Sequence, residues 1–460
     1  MWCGGGCADR SFVLFCVAWE GSFFLGERGL PMDRWWRDLV FSSKEEYEGF
    51  CRRYAQLPEG VRASTVRFGF APVERPDRQL LMDLSLVVLD EPTVRWAARF
   101  TSSAFPGVPV RIGRAMQGRP IQGFVINNRI ANVGTAHGEE YALRVRERVG
   151  EAVGIDPGLL VPSSTGIIGW ELPVERMCEE VEGLVRGVGS ADGLALARAI
   201  MTTDAYPKLC GVQVGEGMVW GMAKGAGMIE PHLATMLVFL FTDVEVDQDV
   251  LDGVLGEVVD RTFNCISVDG DQSTSDSVFL VSTARKGRVE EGVFREALER
   301  VCGFLAEQVV RNGEGTGHVV RVEVRGWDDE TARGVGKAVV NSPLFKTAIA
   351  GCDPNVGRVL AAAGAWLGRR GVRLQPEGLR VWMADHLVFE KGRFLLDREK
   401  EVLLSSYLRA TAVEPSGKVF PPHQRLVDVR LEYDEGDGRA VVLGSDLTVE
   451  YVHINADYRS

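Results

Sequence analysis

The stretch KGAGMIEPHLATML, Lys224–Leu237, decides how this chain is read. It opens on two glycines around Ala226, passes an acid–proline step at Glu230–Pro231, and reaches Ala234–Thr235 just before an apolar run. Three readings of Thr235 are open. A β-branched residue at the mouth of an apolar run suits a buried strand start. A threonine hydroxyl also suits a helix cap. The third reading is a nucleophile. A hydroxyl attacks poorly unless a base sits beside it, and a chain that begins with threonine supplies one, its own α-amino group with a pKa of about 8. An internal threonine reaches that state only if the bond before it is broken. Its Oγ must attack the carbonyl of residue 234, form an ester, and let water cleave it. A small residue at 234 leaves that carbonyl accessible, and nearby glycines let the backbone bend toward it. Local physics permits this reading and favours the strand start.

The segments around the stretch alternate between two periodicities. KLCGVQVGEGMVWGMAKGAGMIE reads as a glycine-punctuated β-hairpin, and STVRFGFAP, LLMDLSLVVLD and GFVINNRIANV read as strands. HGEEYALRVRERVGEAVGI has apolar residues at helical spacing and stops at Gly154. VERMCEEVEGLVRGV and GLALARAIM are helical, and VPSSTGIIGWELP is a strand running into a loop. Downstream, TMLVFLFTDVEV is a strand, QDVLDGVLGEVVDRTF a helix, and CISVDGDQSTSDSVFLVST a turn between strands. EEGVFREALERVCGFLAEQVVRNG reads as a long amphipathic helix and HVVRVEVRG as a strand. DDETARGVGKAVVNSPLFKTAI and VGRVLAAAGAWLGRRG are expected to be helical. The tail, with EKEVLLSSYL, RLVDVRLEY and RAVVLGSDLTVEYVHIN, is expected to be β-rich. The whole is an α/β pattern, and no linker rich in proline, serine or charge cuts it.

The 460 residues carry 52 Lys+Arg against 64 Asp+Glu, a net charge of −12. That balance argues against a general nucleic-acid binder, which needs cations for phosphates. The nine cysteines are scattered without a CxxC pair and read as reduced thiols of a cytoplasmic protein. The six histidines are far apart, so a metal site would need spatial convergence and none is expected. No apolar run is long enough to span a membrane. FVLFCVAW makes a poor signal peptide, because Asp9 offsets Arg10 and no convincing small-residue cleavage site follows. Met32 is an alternative start, with MDRWWRDLVFSSKEEYEGFCRRYAQLPEGV opening on an amphipathic helix, and residues 1–60 read as an N-terminal extension. There is no GxxxxGK[ST], GxSxG or HExxH motif, and neither KGAG nor GEGTG sits in a strand–GxGxxG–helix unit. DGDQSTSD has the acids of a cation loop without an EF-hand's glycine and distal glutamate, and a turn accounts for it.

Longer motifs alter the reading of Thr235. In order along the chain stand STGIIGWELP, AIMTTDAYPK, MAKGAGMIEP, ATML, FNCISVDGDQSTSD, NSPLFKTAIAG, DPNVGR and EYVHINADYRS. With them the chain resembles the ornithine acetyltransferase (glutamate N-acetyltransferase, ArgJ-type) family from about residue 64 to the C-terminus. The resemblance implies an α/β layered sandwich of β-sheets and helices, like N-terminal-nucleophile hydrolases but with its own topology. It implies self-cleavage between Ala234 and Thr235 into an alpha chain, residues 61–234, and a beta chain, residues 235–460. It implies ping-pong transfer of acetyl from N-acetylornithine to glutamate through Thr235, with no cofactor; some members also accept acetyl-CoA as a substrate. A heterotetramer of two alpha and two beta chains is the family expectation.

Residue roles follow from the same resemblance. Thr165 and Gly166 match an oxyanion-hole pair, although a tight turn would suit Gly166 equally. Thr202, Thr203, Lys224, Thr235, Glu314, Asn455 and Ser460 match substrate-contacting positions. Lys224 would meet a carboxylate and Glu314 an ammonium; as ordinary residues they would be a loop lysine and a turn acid. Departures surround this core. Asn128, Arg129 and Ile130 stand where the family has small residues, and Arg129 would take a left-handed backbone only at a cost. Val133, Gly134, Thr135 and Ala136 replace ACTG. His232 and Leu233 replace Asn-Met before the bond, and Ser103, Cys352 and Val356 also differ. These changes leave open a relative that acylates a different amine, or a non-catalytic homologue.

Overall fold

The computed structural model describes residues 41–230, 236–413 and 426–456. Three sheets organise them. The first has the strand order β1-β2-β4-β5, with β1 (Val61–Phe70), β2 (Leu80–Thr93), β4 (Ile121–Asn127) and β5 (Leu160–Ser164). The second has the order β3-β10-β8-β7-β6. Its strands are β3 (Trp96–Phe100), β6 (Lys208–Val214), β7 (Gly217–Lys224), β8 (Leu237–Glu245) and β10 (Ser277–Arg288). The third has the order β14-β13-β12-β15-β11-β16-β9. It is built from β9 (Ile266–Ser267), β11 (Val319–Trp327), β12 (Leu379–Met383), β13 (His386–Glu390), β14 (Arg393–Phe394), β15 (Leu426–Gly436) and β16 (Arg439–Ser445).

The first two sheets pack face to face. Phe124 of β4 sits 5.3 Å from Phe239 of β8 and 5.0 Å from Phe279 of β10, ring centre to ring centre. Burying each such ring contributes roughly 1.5–3 kcal/mol, so the interface is a core. On the outer face of the first sheet, Val145 and Val149 of α3 (Gly138–Val153) and Met177, Val181 and Leu184 of α4 (Val174–Arg186) join Leu84 and Leu86 in one apolar cluster. On the outer face of the second lie α6 (Gln248–Arg261) and α7 (Glu291–Arg311), whose Val301 and Leu305 press on Gly221 of β7. The order is helices, sheet, sheet, helices, the expected α/β sandwich. The shorter helices are α1 (Lys44–Arg53), α2 (Val108–Met116) and α5 (Gly193–Ala199). Phe41, Tyr47, Phe50 and Cys51 belong to the central core, so the described end of the residue 1–60 extension is packed into the body.

The hairpin expected at 208–224 is β6 and β7, joined by Gly215–Glu216 with Gly215 at φ +57°. Helix α3 stops where expected, with Gly154 left-handed at φ +74°. The turn at 268–276 links strands of two different sheets, β9 and β10. The third sheet is covered by α8 (Asp329–Val340), α9 (Pro343–Ala350) and α10 (Val356–Arg369), whose Val335, Val339, Ile349 and Val359 share its apolar cluster.

The β-rich tail is corrected in two places. EKEVLLSSYL lies in α11 (Arg398–Thr411), because Asp397 accepts from the Lys400 N–H as an N-cap and Leu404 and Leu408 bury one helical face. DLTVEYVHIN runs into α12 (Val449–Ala456), where the Thr448 hydroxyl accepts from the Tyr451 N–H at 3.1 Å. In α11 capping and burial, and in α12 the Thr448 cap, override the β-propensity of Val and Tyr. Among the described residues no helix is long and apolar enough to cross a membrane.

Candidate active site

Strand β7 ends on Lys224, β8 begins at Leu237 and β10 begins at Ser277. These residues are level across the sheet, Lys224 pairing with Leu237 and Leu237 with Ser277. Met236 follows the questioned Thr235 by one peptide bond, and its carbonyl accepts from the Ser277 N–H at 3.1 Å. His232, Leu233, Ala234, Thr235 and Ser460 lie outside the described residues.

Thr165 arrives at the end of β5, its N–H donating to the Asn127 carbonyl at 3.1 Å. The side chain is buried, and its Oγ1 accepts from Lys224 Nζ at 3.0 Å. An ammonium on the oxygen's lone pair leaves the hydroxyl proton to donate elsewhere. Gly166 follows with φ +132°, and its N–H donates no hydrogen bond among the described residues. A Cβ there would lie 2.1 Å from the carbonyl carbon of Arg129 and 2.2 Å from its oxygen, so glycine is required for this approach. An available hydroxyl proton and an available peptide N–H on consecutive residues can together hold an oxyanion.

Arg129 adopts the left-handed conformation, φ +69°, that a small residue would take more cheaply. Its side chain is exposed, with Nε donating to the Leu81 carbonyl at 3.2 Å. Asn128 is buried, accepting from the Asp83 N–H at 2.8 Å and donating to the carbonyls of Ala199 and Met201 at 3.0 Å each. It thereby ties β2 to the segment carrying Thr202 and Thr203. Ile130 is buried and bridges to Ile167. The three departures are scaffold for the loop that holds Gly166. Val356 is buried at the start of α10, and Cys352 takes φ +55° with Sγ 3.9 Å from His318 Nε2.

Thr202 is half-buried and Thr203 exposed, both on a turn organised by Asp204. Asp204 Oδ2 accepts from the Thr202 N–H at 3.0 Å, and Oδ1 accepts from Lys208 Nζ at 2.6 Å and the Gly225 N–H at 2.7 Å. Burial alone would raise this carboxyl, but Lys208, Lys224 and the Gly225 N–H together hold it well below the usual range. Lys208 is wholly buried and also donates to Asn312 Oδ1 at 2.6 Å. Burial lowers the Lys224 ammonium, while the charges of Asp204, Asp276 and Glu314 oppose the shift.

Glu314 and Asn455, 141 positions apart in the chain, meet here: Asn455 Nδ2 donates to Glu314 Oε2 at 3.0 Å. The Glu314 N–H donates to the Ala226 carbonyl at 2.9 Å, and its carboxyl lies against Gly227, where a Cβ would come within 2.3 Å of Oε2. Asp269 fixes the next residues, accepting from the N–H of Met228 at 2.6 Å and of Ile229 at 2.8 Å. The structure therefore gathers Thr165, Gly166, Lys224, Glu314 and Asn455 around the segment that opened the sequence reading. Sequence reasoning missed Asp204, Lys208, Asp269 and Asp276. Asp204 and Lys208 stand in AIMTTDAYPK, but an acid and a lysine four apart do not reveal a buried pair without the fold.

A hydroxyl and a peptide N–H able to hold an oxyanion, with a carboxylate and an ammonium at hand, fit an enzyme of the acyltransferase class. The ArgJ family pattern matches residues 70–460, and the chain belongs to that family. It is 38% identical over 409 residues to the arginine biosynthesis bifunctional protein ArgJ of Rhodococcoides fascians, covering 88% of this chain and 95% of that protein. It is 36% identical over 408 residues to the glutamate N-acetyltransferase Oat2 of Streptomyces clavuligerus, covering 88% and 98%. Among solved structures, the arginine biosynthesis bifunctional protein argJ of Bacillus halodurans aligns at 31% identity with a TM-score of 0.41, over 48% of this chain and 98% of that one.

Proposed function

We propose that this chain cleaves itself between Ala234 and Thr235 and then transfers acetyl from N-acetylornithine to glutamate by a ping-pong route through Thr235. The observation that carries the reading is the Lys224–Thr165 contact beside the open Gly166 N–H, at the end of β7 that pairs with Leu237, two residues after Thr235 in the chain. The names of the relatives, bifunctional ArgJ and glutamate N-acetyltransferase, support the substrates, and bifunctional use supports acetyl-CoA as a second donor.

In this reading the freed Thr235 amine takes the hydroxyl proton and Oγ attacks the acetyl carbonyl. The tetrahedral oxyanion sits between the Thr165 hydroxyl and the Gly166 N–H, each donor stabilising it by roughly 3 kcal/mol. Ornithine leaves with its nitrogen reprotonated, and the glutamate amine takes the acetyl group from the ester. Glu314, held by Asn455, receives the substrate ammonium, and Lys224 has further N–H bonds for a carboxylate beyond the one to Thr165. Residues 61–234 and 235–460 form the two products, which assemble in pairs in the cytoplasm. Their association has a structural basis: β3, β6 and β7 of the first and β8 and β10 of the second share one sheet.

Intact-mass measurement of the purified protein tests the reading. Two fragments, one beginning at Thr235, and acetyl transfer from N-acetylornithine to glutamate are expected, and Thr235→Ala abolishes both. A single uncut chain that transfers acetyl, or a cut chain that does not, defeats it.

A further inference from the structure

Asp276 is the buried acid that the mechanism above leaves idle. It is 2% exposed, and neither carboxyl oxygen has a hydrogen-bond partner among the described residues. Leaving a carboxylate buried and unpaired costs several kcal/mol, which ordinarily forbids the arrangement. Its position explains what it is for. Ser277 pairs with Leu237 in the parallel β8–β10 ladder, so Asp276 stands level with Met236, one peptide bond from Thr235. On the other side of β8, Lys224 pairs with that same Leu237. Lys224 with Thr165 flanks the start of β8 from β7, and Asp276 flanks it from β10.

The self-cleavage step has an unmet need that this placement answers. As the bond from Thr235 Oγ to the carbonyl carbon of Ala234 forms, the bond from that carbon to the Thr235 nitrogen must break. The nitrogen cannot leave as an anion; it needs a proton. Before cleavage the α-amino group does not exist as a base, so the precursor lacks the group that serves the later acetyl transfer. We propose that Asp276 is the proton relay of self-cleavage, giving its carboxyl proton to the departing Thr235 nitrogen and recovering one from the Thr235 hydroxyl. The proposal rests on the assignment of Thr235 as the self-cleaving nucleophile. The step balances: one proton passes from oxygen to nitrogen through the carboxyl, an amide becomes an ester and an amine, and water then hydrolyses the ester to free Ala234.

The surroundings hold Asp276 in the proton-bearing state. Burial pushes its carboxyl well above the usual range. The Met236 N–H, the Lys224 ammonium and the hydroxyls of Thr101 and Ser273 favour the anion in part, without closing a hydrogen bond to it. Thr101 is committed elsewhere, donating to the Ser273 carbonyl at 2.6 Å. Lys224 is the charged group that faces Asp276 from β7.

The test follows processing of the full chain after synthesis, by denaturing gel and intact mass, across pH. Asp276→Asn keeps shape and removes the exchangeable proton. It is expected to slow scission about 100-fold or more, the scale of a general acid, with Asp276→Glu recovering part of the rate. Wild-type scission is expected to fall as pH rises through ionisation of the carboxyl, above the ordinary carboxylate range, and residual scission in Asp276→Asn to lose that limb. Scission of Asp276→Asn at the wild-type rate, or slow scission that keeps the wild-type pH limb, overturns the proposal. Should Asp276→Asn not fold, the wild-type profile decides, and a profile without the limb overturns it. A wild-type chain that never cleaves refutes the underlying reading instead, so the two failures are distinguishable.

Discussion

Replacing Gly166 with alanine isolates the oxyanion site from the rest of the fold. The added Cβ would lie 2.1 Å from the Arg129 carbonyl carbon, 2.2 Å from its oxygen and 2.6 Å from its Cα. All three are backbone atoms, so no side chain can swing away. Relief requires the two strands of chain to part by about 1 Å or more, since carbon contacts settle near 3.5–4 Å. The bridge between them, with Ile167 N–H to the Arg129 carbonyl at 2.8 Å and Ala131 N–H to the Ile167 carbonyl at 3.0 Å, would yield. The backbone at φ +132° adds strain of order 1–3 kcal/mol for a residue with a Cβ. A displacement of that size removes the residue 166 N–H from the oxyanion. Loss of one such donor costs about 10²–10³ in kcat. The proposed self-cleavage would pass through a tetrahedral oxyanion too, so processing should slow alongside transfer. Gly169→Ala is the control, because Gly169 also has positive φ, +83°, with nothing within 4 Å of its would-be Cβ. It should lose stability only and keep kcat. The assays are the processing half-time on a denaturing gel and steady-state transfer by the mature enzyme. If Gly166→Ala processes and turns over within threefold of wild type, or if Gly169→Ala is equally impaired, the assignment of the oxyanion site is refuted.

Other perturbations probe the surrounding charges. Lys208→Met, made in the Thr235→Ala background so that one covalent chain is studied, leaves Asp204 buried with Lys224 as its remaining counter-charge. Urea unfolding should show a loss of about 3 kcal/mol, the low end for breaking a buried pair, and an unchanged midpoint would contradict the pairing. Glu314→Gln should raise KM for N-acetylornithine at least tenfold with a smaller change in kcat, whereas equal effects on both would place Glu314 elsewhere in the reaction. Lys346 is buried, donates to the carbonyls of Val268 and Ser445 at 2.6 Å each, and is lowered by burial to about 8. From pH 8 up to the unfolded lysine value of about 10.4 the unfolded chain holds the proton more tightly, so this group's contribution to stability rises with pH in that window and is flat, at its lowest, below it. Relative to Lys346→Met, wild type should gain on the order of 3 kcal/mol between pH 8 and 10.4; a flat difference would show that the buried ammonium keeps its ordinary affinity.

Much of the fold was legible wherever periodicity and punctuation agreed. The 208–224 hairpin announced itself through glycines between apolar runs, and α3 through its Gly154 stop. The tail was misread because Val, Leu and Tyr serve strands and helices alike, and the deciding signals were single capping residues, Asp397 and Thr448. The site was legible only through resemblance. Thr165, Lys224, Glu314 and Asn455 lie on separate elements, and no local spacing brings them together. Resemblance did not supply the charges that work in burial, either. Nothing in DGDQSTSD marks Asp276 as the acid left unpaired, because that property belongs to the β8–β10 register and not to the letters.

The shared sheet would give the proposed scission a thermodynamic consequence. Strand β7 and strand β8 pair from Val219–Thr242 to Lys224–Leu237, a ladder whose hydrogen bonds do not include the Ala234–Thr235 bond that the proposed scission would break. In the precursor, unfolding and refolding are unimolecular, because the hairpin tether keeps both strands at hand. Once the tether is cut, the unfolded state becomes two independent chains, and its free energy acquires a dependence on concentration. At dilution each excursion to the unfolded state is harder to reverse. With the proposed scission, the protein would fold once as a tethered chain and thereafter be maintained by the slowness of its unfolding.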